Sequence, residues 1–410
     1  MPPRNPNDPI TRRLQAVNEW IYGIKRSGHY LFHIPVEDQT QGAWVTVQGR
    51  RMLMMATYSY LGLIGHPRLA QAACEAARRY GTGSHGARGL SGTLPIHLEL
   101  EKTIAEFKGT EAAIVFPTGY VTNVSTIASL VGRGDYIISD KYNHASLVDG
   151  AVMSGAKLLR YKHNDLDMLE RRLKAVPEGA GKLIIADAVF SMDGDILDLP
   201  RVVELARKYD AWLMVDEAHS GGVLGKTGRG IEEHFGMPGV IDIKMGTLSK
   251  AIPSMGGYIA ADEWIVHAIR HSARGYIFTG AMSPVVAAVA LEGLRILQEE
   301  PWRVAKLQAN TERFIRGLRE RGFDILQTQT PVVPIMARGL DMVMALTRAV
   351  MKRGLFILPV VAPAVPEGQE RLRATVTAAH EPEDIDFALE VLTEAADEVG
   401  LPRGQAAAAG

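Results

Sequence analysis

The chain has 410 residues, 45 basic against 46 acidic side chains, and one cysteine, Cys74. That balance argues against a nucleic-acid protein or a polybasic membrane surface, and a lone cysteine permits neither an intrachain disulfide nor a thiolate metal cluster, so no metal site is expected. With 47% hydrophobic and 22% charged residues, no membrane-length apolar run and no apolar leader in MPPRNPNDPITRR, a folded cytoplasmic enzyme is expected rather than a disordered or membrane-spanning chain.

The first nine or so residues and the tail from Gly404 are expected to be loose. Residues 11–33 read as an amphipathic helix with Leu14, Val17, Trp20, Ile21 and Ile24 on one stripe. A short β segment at 43–55 follows, turning near Gln48-Gly49. Pro67 starts a helix through Tyr80, in which Cys74 reads as a small packed residue. A second helix spans 98–109, with Gly109 as its C-terminal cap. Strands are expected at 112–116, 135–140, 157–161, 182–187, 211–216 and 242–248, most of them separated by helical patterns such as 200–209. Apolar strands alternating with helices imply an α/β fold, its central sheet mainly parallel and covered on both faces. A long helix starts near Pro284, then a helix at 303–321, strand-like PVVPIMA, GLFILPV and RLRATVTA, and a closing helix at 382–399. The expected division is an N-terminal helix and β segment (1–55), a large domain (56–290), a smaller α/β domain (291–400) and a disordered tail (401–410).

In open α/β sheets, ligands bind beyond the carboxyl ends of the strands. There the sequence offers Thr118-Gly119-Tyr120, Asn143-His144, Ser191 before Asp193-Gly194, Asp216 with His219, and Ser249-Lys250 before Gly256-Gly257. Singly, each has an ordinary structural explanation: a solvated lysine, a capping aspartate, a core histidine, a turn serine. Together, at successive strand ends, they suit pyridoxal 5'-phosphate. That cofactor needs a lysine for its imine, a carboxylate for its pyridine nitrogen, and phosphate donors. Lys250 supplies the amine, and Asp216, after four apolar residues, suits a cationic partner. A helix starting at Gly119-Tyr120 would offer N–H groups to phosphate, and Thr247 a hydroxyl.

The stretches YLGLIGHP (60–67), GTGSHGARGLSGT (81–93), PTGYVTN (117–123), DKYNHAS (140–146), VFSMDGDI (189–196), VDEAHSGGVLGKTGRG (215–230), GTLSKAIPSMGGYI (246–259), YIFTGAMSP (276–284) and RLRATVTAAHE (371–381) resemble the α-oxoamine synthases. This family of pyridoxal phosphate enzymes includes 8-amino-7-oxononanoate synthase, 2-amino-3-ketobutyrate CoA ligase, 5-aminolevulinate synthase and serine palmitoyltransferase. The resemblance implies a fold-type I, aspartate aminotransferase-like homodimer with its site at the subunit interface. It also implies Lys250 as the Schiff-base lysine and general base, Asp216 beneath the pyridine nitrogen, and His144 stacked on the ring. His219 and Ser191 would lie near the phenolic oxygen, and Gly119, Tyr120 and Thr247 at the phosphate. Thr279 and Gly280 would reach across from the partner subunit, and Arg373 would receive the amino-acid carboxylate. The implied reaction condenses a small amino acid (glycine, alanine or serine) with an acyl thioester, on coenzyme A or an acyl-carrier protein, releasing CO₂ and free thiol. Transamination on the same fold is the alternative. Relatives commonly carry Asn where this chain has Ser59, a change in the amino-acid pocket, and His85 and Ile252-Pro253 also depart from the family pattern.

Overall fold

The computed structural model describes residue 5 and residues 8–404, so most of the expected loose N-terminus and the tail beyond Gly404 lie outside the described residues. Helix α1 (Pro9–Arg26) starts on Asp8, whose carboxylate accepts the Thr11 N–H at 2.9 Å. It ends before Ser27-Gly28, where Gly28 has φ 72°, short of the expected residue 33. Its apolar stripe is not packed: Leu14, Val17 and Trp20 are all exposed. Strands β1 (Val36–Gln41), β2 (Trp44–Val47) and β3 (Arg50–Met54) form a meander. Its β2–β3 turn sets Gln48 and Gly49 at φ 51° and 69°, the left-handed pair that a tight hairpin requires.

Helices α2 (Pro67–Tyr80) and α3 (Pro95–Lys108) each begin on a proline, whose missing N–H costs nothing in a first turn. Gly109 closes α3 in the left-handed conformation. In α2 the buried positions are Leu69 and Ala76, and Cys74 is exposed, which corrects the expectation that it packs. An Ala-rich helix offers several candidate apolar faces, and the face that docks leaves Cys74 outside.

The six expected strands all form: β4 (Ala112–Phe116), β5 (Tyr136–Asp140), β6 (Lys157–Tyr161), β7 (Lys182–Asp187), β8 (Trp212–Asp216) and β9 (Ile243–Thr247). Helices α4 (Gly119–Leu130), α5 (Ala145–Ser154), α6 (Leu166–Lys174), α7 (Leu199–Lys208) and α8 (Ile231–Phe235) connect them. A further strand, β10 (Gly257–Ala261), inserts between β4 and β9 and runs antiparallel to both. The sheet order is β4-β10-β9-β8-β7-β5-β6, parallel from β9 through to β6. Side-chain alternation feeds two cores. Val115, Ile138, Ile184, Leu213 and Val215 face one, and Ile114, Ile137, Leu183, Met214 and Met245 face the other.

Helices α9 (Glu263–Ser272) and α10 (Arg274–Ile277) precede α11 (Pro284–Glu299), which packs on α2 and α3. After α12 (Trp302–Glu320) come β11 (Val332–Met336), α13 (Leu340–Lys352), β12 (Leu355–Phe356), β13 (Pro359–Val360), β14 (Arg371–Thr375) and α14 (Pro382–Val399). Strand β12 pairs in parallel with β3, so the N-terminal meander is completed by a strand from the far end of the chain. Strands β11, β14 and β13 form a separate antiparallel sheet. Within the segment expected to be a tail, Leu401 is buried and the Gly404 N–H reaches the Gly322 carbonyl at 2.9 Å. Among the described residues, no helix is long and apolar enough to cross a membrane.

Candidate active site

The carboxyl ends of β4, β5, β7, β8 and β9 line one edge of the sheet. Helix α4 starts there, capped by the Thr118 hydroxyl, which accepts the Val121 N–H at 3.2 Å. Close approach defines this corner. A Cβ on Gly119 would lie 3.1 Å from the Thr247 hydroxyl, and one on Gly257 would lie 2.7 Å from the Gly119 Cα. The corner thus brings together a helix N-terminus, the Thr247 hydroxyl and two glycines, an anion cradle in the making. Tyr120 stands in the first turn of α4, and its phenol bonds to Asp149 on α5.

Asp216 ends β8 and is buried. Its Oδ1 accepts the Ala218 N–H at 2.9 Å and its Oδ2 the Asn123 amide at 2.7 Å. Asn123 also donates to Ser146 Oγ at 2.9 Å, and Ser146 Oγ lies 2.8 Å from His144 Nδ1. Asn123 therefore ties Asp216 to His144, and its own Oδ1 is buried without a partner. In the neighbouring strand Asp187 stands in register with Asp216 and accepts the His144 backbone N–H at 2.8 Å. Burial, and next the charge of Asp216, push the Asp187 carboxyl well above the usual range. His144 is pushed down, first by burial and partly by the charge on Lys250.

Lys250 sits in the loop between β9 and β10, its Nζ 2.8 Å from His219 Nε2 and 5.8 Å from the centre of the Tyr58 ring. Burial, partly offset by Asp216 and Asp187, lowers its pKa to about 8. His219 is pushed well below its ordinary value by burial and then by Lys250, so it stays neutral. The other ring nitrogen, Nδ1, lies 2.5 Å from Tyr60 Oη, so both nitrogens of the neutral ring are hydrogen-bonded.

Arg373, on β14, donates Nε–H to the Ser191 carbonyl at 2.6 Å and lies 5.6 Å from the Tyr58 ring centre. Its Nη2 is buried without a partner. Ser191 thus enters the site through its backbone. Ser59 Oγ is also buried and unpartnered, and Ser59 lines a cavity of about 470 Å³ together with Tyr58, Ser249 and Lys250. Thr279 and Gly280 lie in the segment between α10 and α11. Gly280 pairs with Ala87, and Ala281 N–H donates to Gly86, while Met282 packs against Gly256 at the end of the lysine loop. A larger cavity of about 1230 Å³, lined by Glu233, Gln308, Arg316 and Gln329 among others, holds none of these groups.

Asn123 and Asp187 were not among the candidate residues. Asp187 carried the same sign as Asp216, an acid closing an apolar strand, whereas Asn123 lies inside a helix and its partner is distant in sequence.

The family model for aminotransferases of class I and II matches residues 50–392. An 8-amino-7-oxononanoate synthase from Fervidobacterium nodosum is 43% identical over 92% of this chain and 96% of its own length. A serine palmitoyltransferase from Sphingobacterium spiritivorum is 41% identical over 90% of this chain and 92% of its own. A solved serine palmitoyltransferase from S. paucimobilis, with bound PLP and myriocin, superposes with a TM-score of 0.92 at 32% identity, covering 95% of this chain and 99% of that one. The chain belongs to the aminotransferase class I and II family and, within its fold-type I architecture, to the α-oxoamine synthases.

Proposed function

We propose that this protein is a pyridoxal 5'-phosphate-dependent acyltransferase. It would condense a small amino acid with an acyl thioester, giving an α-aminoketone, CO₂ and free thiol. The observation that carries the reading is a desolvated lysine amine, 2.8 Å from a neutral histidine, in one buried cluster with Asp216 and His144. The residues fit the cofactor. Gly119, Tyr120 and Thr247 would hold its phosphate, where a side chain at Gly119 or Gly257 would intrude. Asp216 would face the pyridine nitrogen, His144 the ring, and His219 and Ser191 the phenolic side. When bound, the cofactor supplies an electron sink for a carbanion at the amino-acid α-carbon.

The chain's own groups do the rest. The unpartnered Nη2 of Arg373 would donate to one oxygen of the substrate carboxylate, as a planar guanidinium does well. Ser59 Oγ offers a second free group, in the cavity that Lys250 also lines. Lys250, with a pKa of about 8, is partly unprotonated near neutral pH and so suits removal of the α-proton. Neutral His219 would steady that amine by accepting its hydrogen bond. Thr279 and Gly280 would serve the partner's site in a homodimer; a cytoplasmic location belongs to the same reading.

A panel of glycine, L-alanine and L-serine, each with and without acyl-CoA and acyl-carrier-protein donors, tests it. Thioester-dependent release of CO₂ and thiol is expected. Conversion of a keto acid to an amino acid with no need for thioester would instead establish transamination.

A further inference from the structure

We propose that His163 is a positioning residue for Arg373: clamped between two carboxylates, it fixes the 190–196 turn whose Ser191 carbonyl aims the guanidinium at the substrate. The proposal rests on Arg373 being the carboxylate receptor.

The His163 ring bridges the end of the central sheet and the turn. Its Nδ1 lies 3.1 Å from Asp140 Oδ1, at the end of β5, and its Nε2 lies 2.9 Å from Asp195 Oδ2. Tyr142 stacks on it at 4.6 Å, and the Phe190 ring meets it edge-on at 4.4 Å. Both ring nitrogens face carboxylate oxygens, so the imidazole satisfies both only as the doubly protonated cation. Burial would lower its pKa, but the bonds to Asp140 and Asp195 prevail and carry it up to about 10.

The other side of the turn is held by the β11–β14 sheet. Arg371 donates to the Met192 carbonyl at 3.1 Å and pairs with Asp193. The Gly194 carbonyl accepts from Gln329 N–H at 3.1 Å and from the Thr330 hydroxyl at 2.9 Å. Ser191 lies between these anchors, and its carbonyl takes the Nε–H of Arg373, leaving Nη2 free. His163, Asp193 and Asp195 also come within reach of one cation. Arg371 already pairs with Asp193, and His163 already bridges Asp140 and Asp195, so the group acts as an ion-pair clamp.

The test compares ligands that differ only in the carboxylate. Glycine, L-alanine and L-serine are titrated into the holoenzyme against methylamine, ethylamine and ethanolamine, following the cofactor absorption. In H163Q, the amino acids should bind about tenfold more weakly, the effect of misplacing one charge-assisted hydrogen bond, while the matching amines change less than about twofold. D195N should give the same signature, and it decides the matter if H163Q fails to fold. Equal losses for amino acids and amines, or unchanged amino-acid binding, would overturn the positioning role alone. A wild-type protein with no preference for amino acids over their amines would overturn the reading of Arg373, and this proposal with it.

Discussion

Replacing Asp216 by Asn should move the apoprotein and the holoenzyme in opposite directions. In the holoenzyme the buried carboxylate would be the counter-ion of the pyridinium. Leaving a buried cation unpaired costs about 3 kcal/mol or more, so cofactor affinity and turnover should each fall by at least ~100-fold. In the apoprotein the same carboxylate is a burden, because Asp187, its register partner, is buried and is pushed well above its ordinary value partly by the Asp216 charge. A carboxyl raised in the folded state is more readily protonated there than in the unfolded chain. Its penalty is therefore absent below pH ~4 and grows as pH rises toward the raised folded value. D216N removes one source of that penalty. The new amide can keep the bond from Ala218 N–H, and a turn of the Asn123 side chain would present its unpartnered Oδ1 as acceptor. Thermal melts of both apoproteins at pH 5 and pH 8, with cofactor affinity by equilibrium dialysis, give the readout. Apo-D216N should lose less stability between the two pH values than the apo wild type, while its cofactor affinity collapses. A variant that binds cofactor within threefold of wild type, or whose apo form loses more stability at pH 8, would refute the assignment of both carboxylates.

Four further outcomes are expected. Cofactor uptake by the apoprotein should quicken with pH and level off above about 8, because burial keeps the Lys250 amine at about 8. A midpoint near 10.5 would contradict this, and Lys250→Ala should abolish both turnover and borohydride fixation of the cofactor. Gly257→Ala should destabilise the protein by ~1–3 kcal/mol and weaken cofactor binding, since the added carbon would meet Gly119 backbone at 2.7 Å, as chemical denaturation can measure. Cys74, exposed on α2, should react with iodoacetamide in the native protein without loss of activity; inactivation in step with labelling would count against its lying outside the machinery.

The parallel strands were legible because each is a short apolar run ending in polar residues, and five of those ends supply the cluster around Lys250. Strand β10 was not, since GYIAA has two alanines and a glycine where a strand would usually show bulk. Strand β1, VEDQTQ, is a polar edge strand without apolar alternation. The stripe on α1 obeyed helical periodicity, yet Leu14, Val17 and Trp20 are left exposed among the described residues, and periodicity says which residues share a face, not what they meet. Lys250, Asp216, His144 and His219 stand in motifs of known chemistry. Asn123, Asp187 and His163 act through partners distant in sequence, and such pairings come from the folding of the chain around the sheet.

The reversal of β10 has a consequence for how the amine is handled. The lysine rides on a hairpin finger between two strands of the same sheet, and its base is cinched where the Leu248 N–H donates to the Gly256 carbonyl at 3.0 Å. In the proposed chemistry, a lysine freed by substrate would move mainly on its own side chain, because the base of the finger is tied to the sheet. Such an amine would stay close to the α-carbon it is proposed to deprotonate, a reagent already in place.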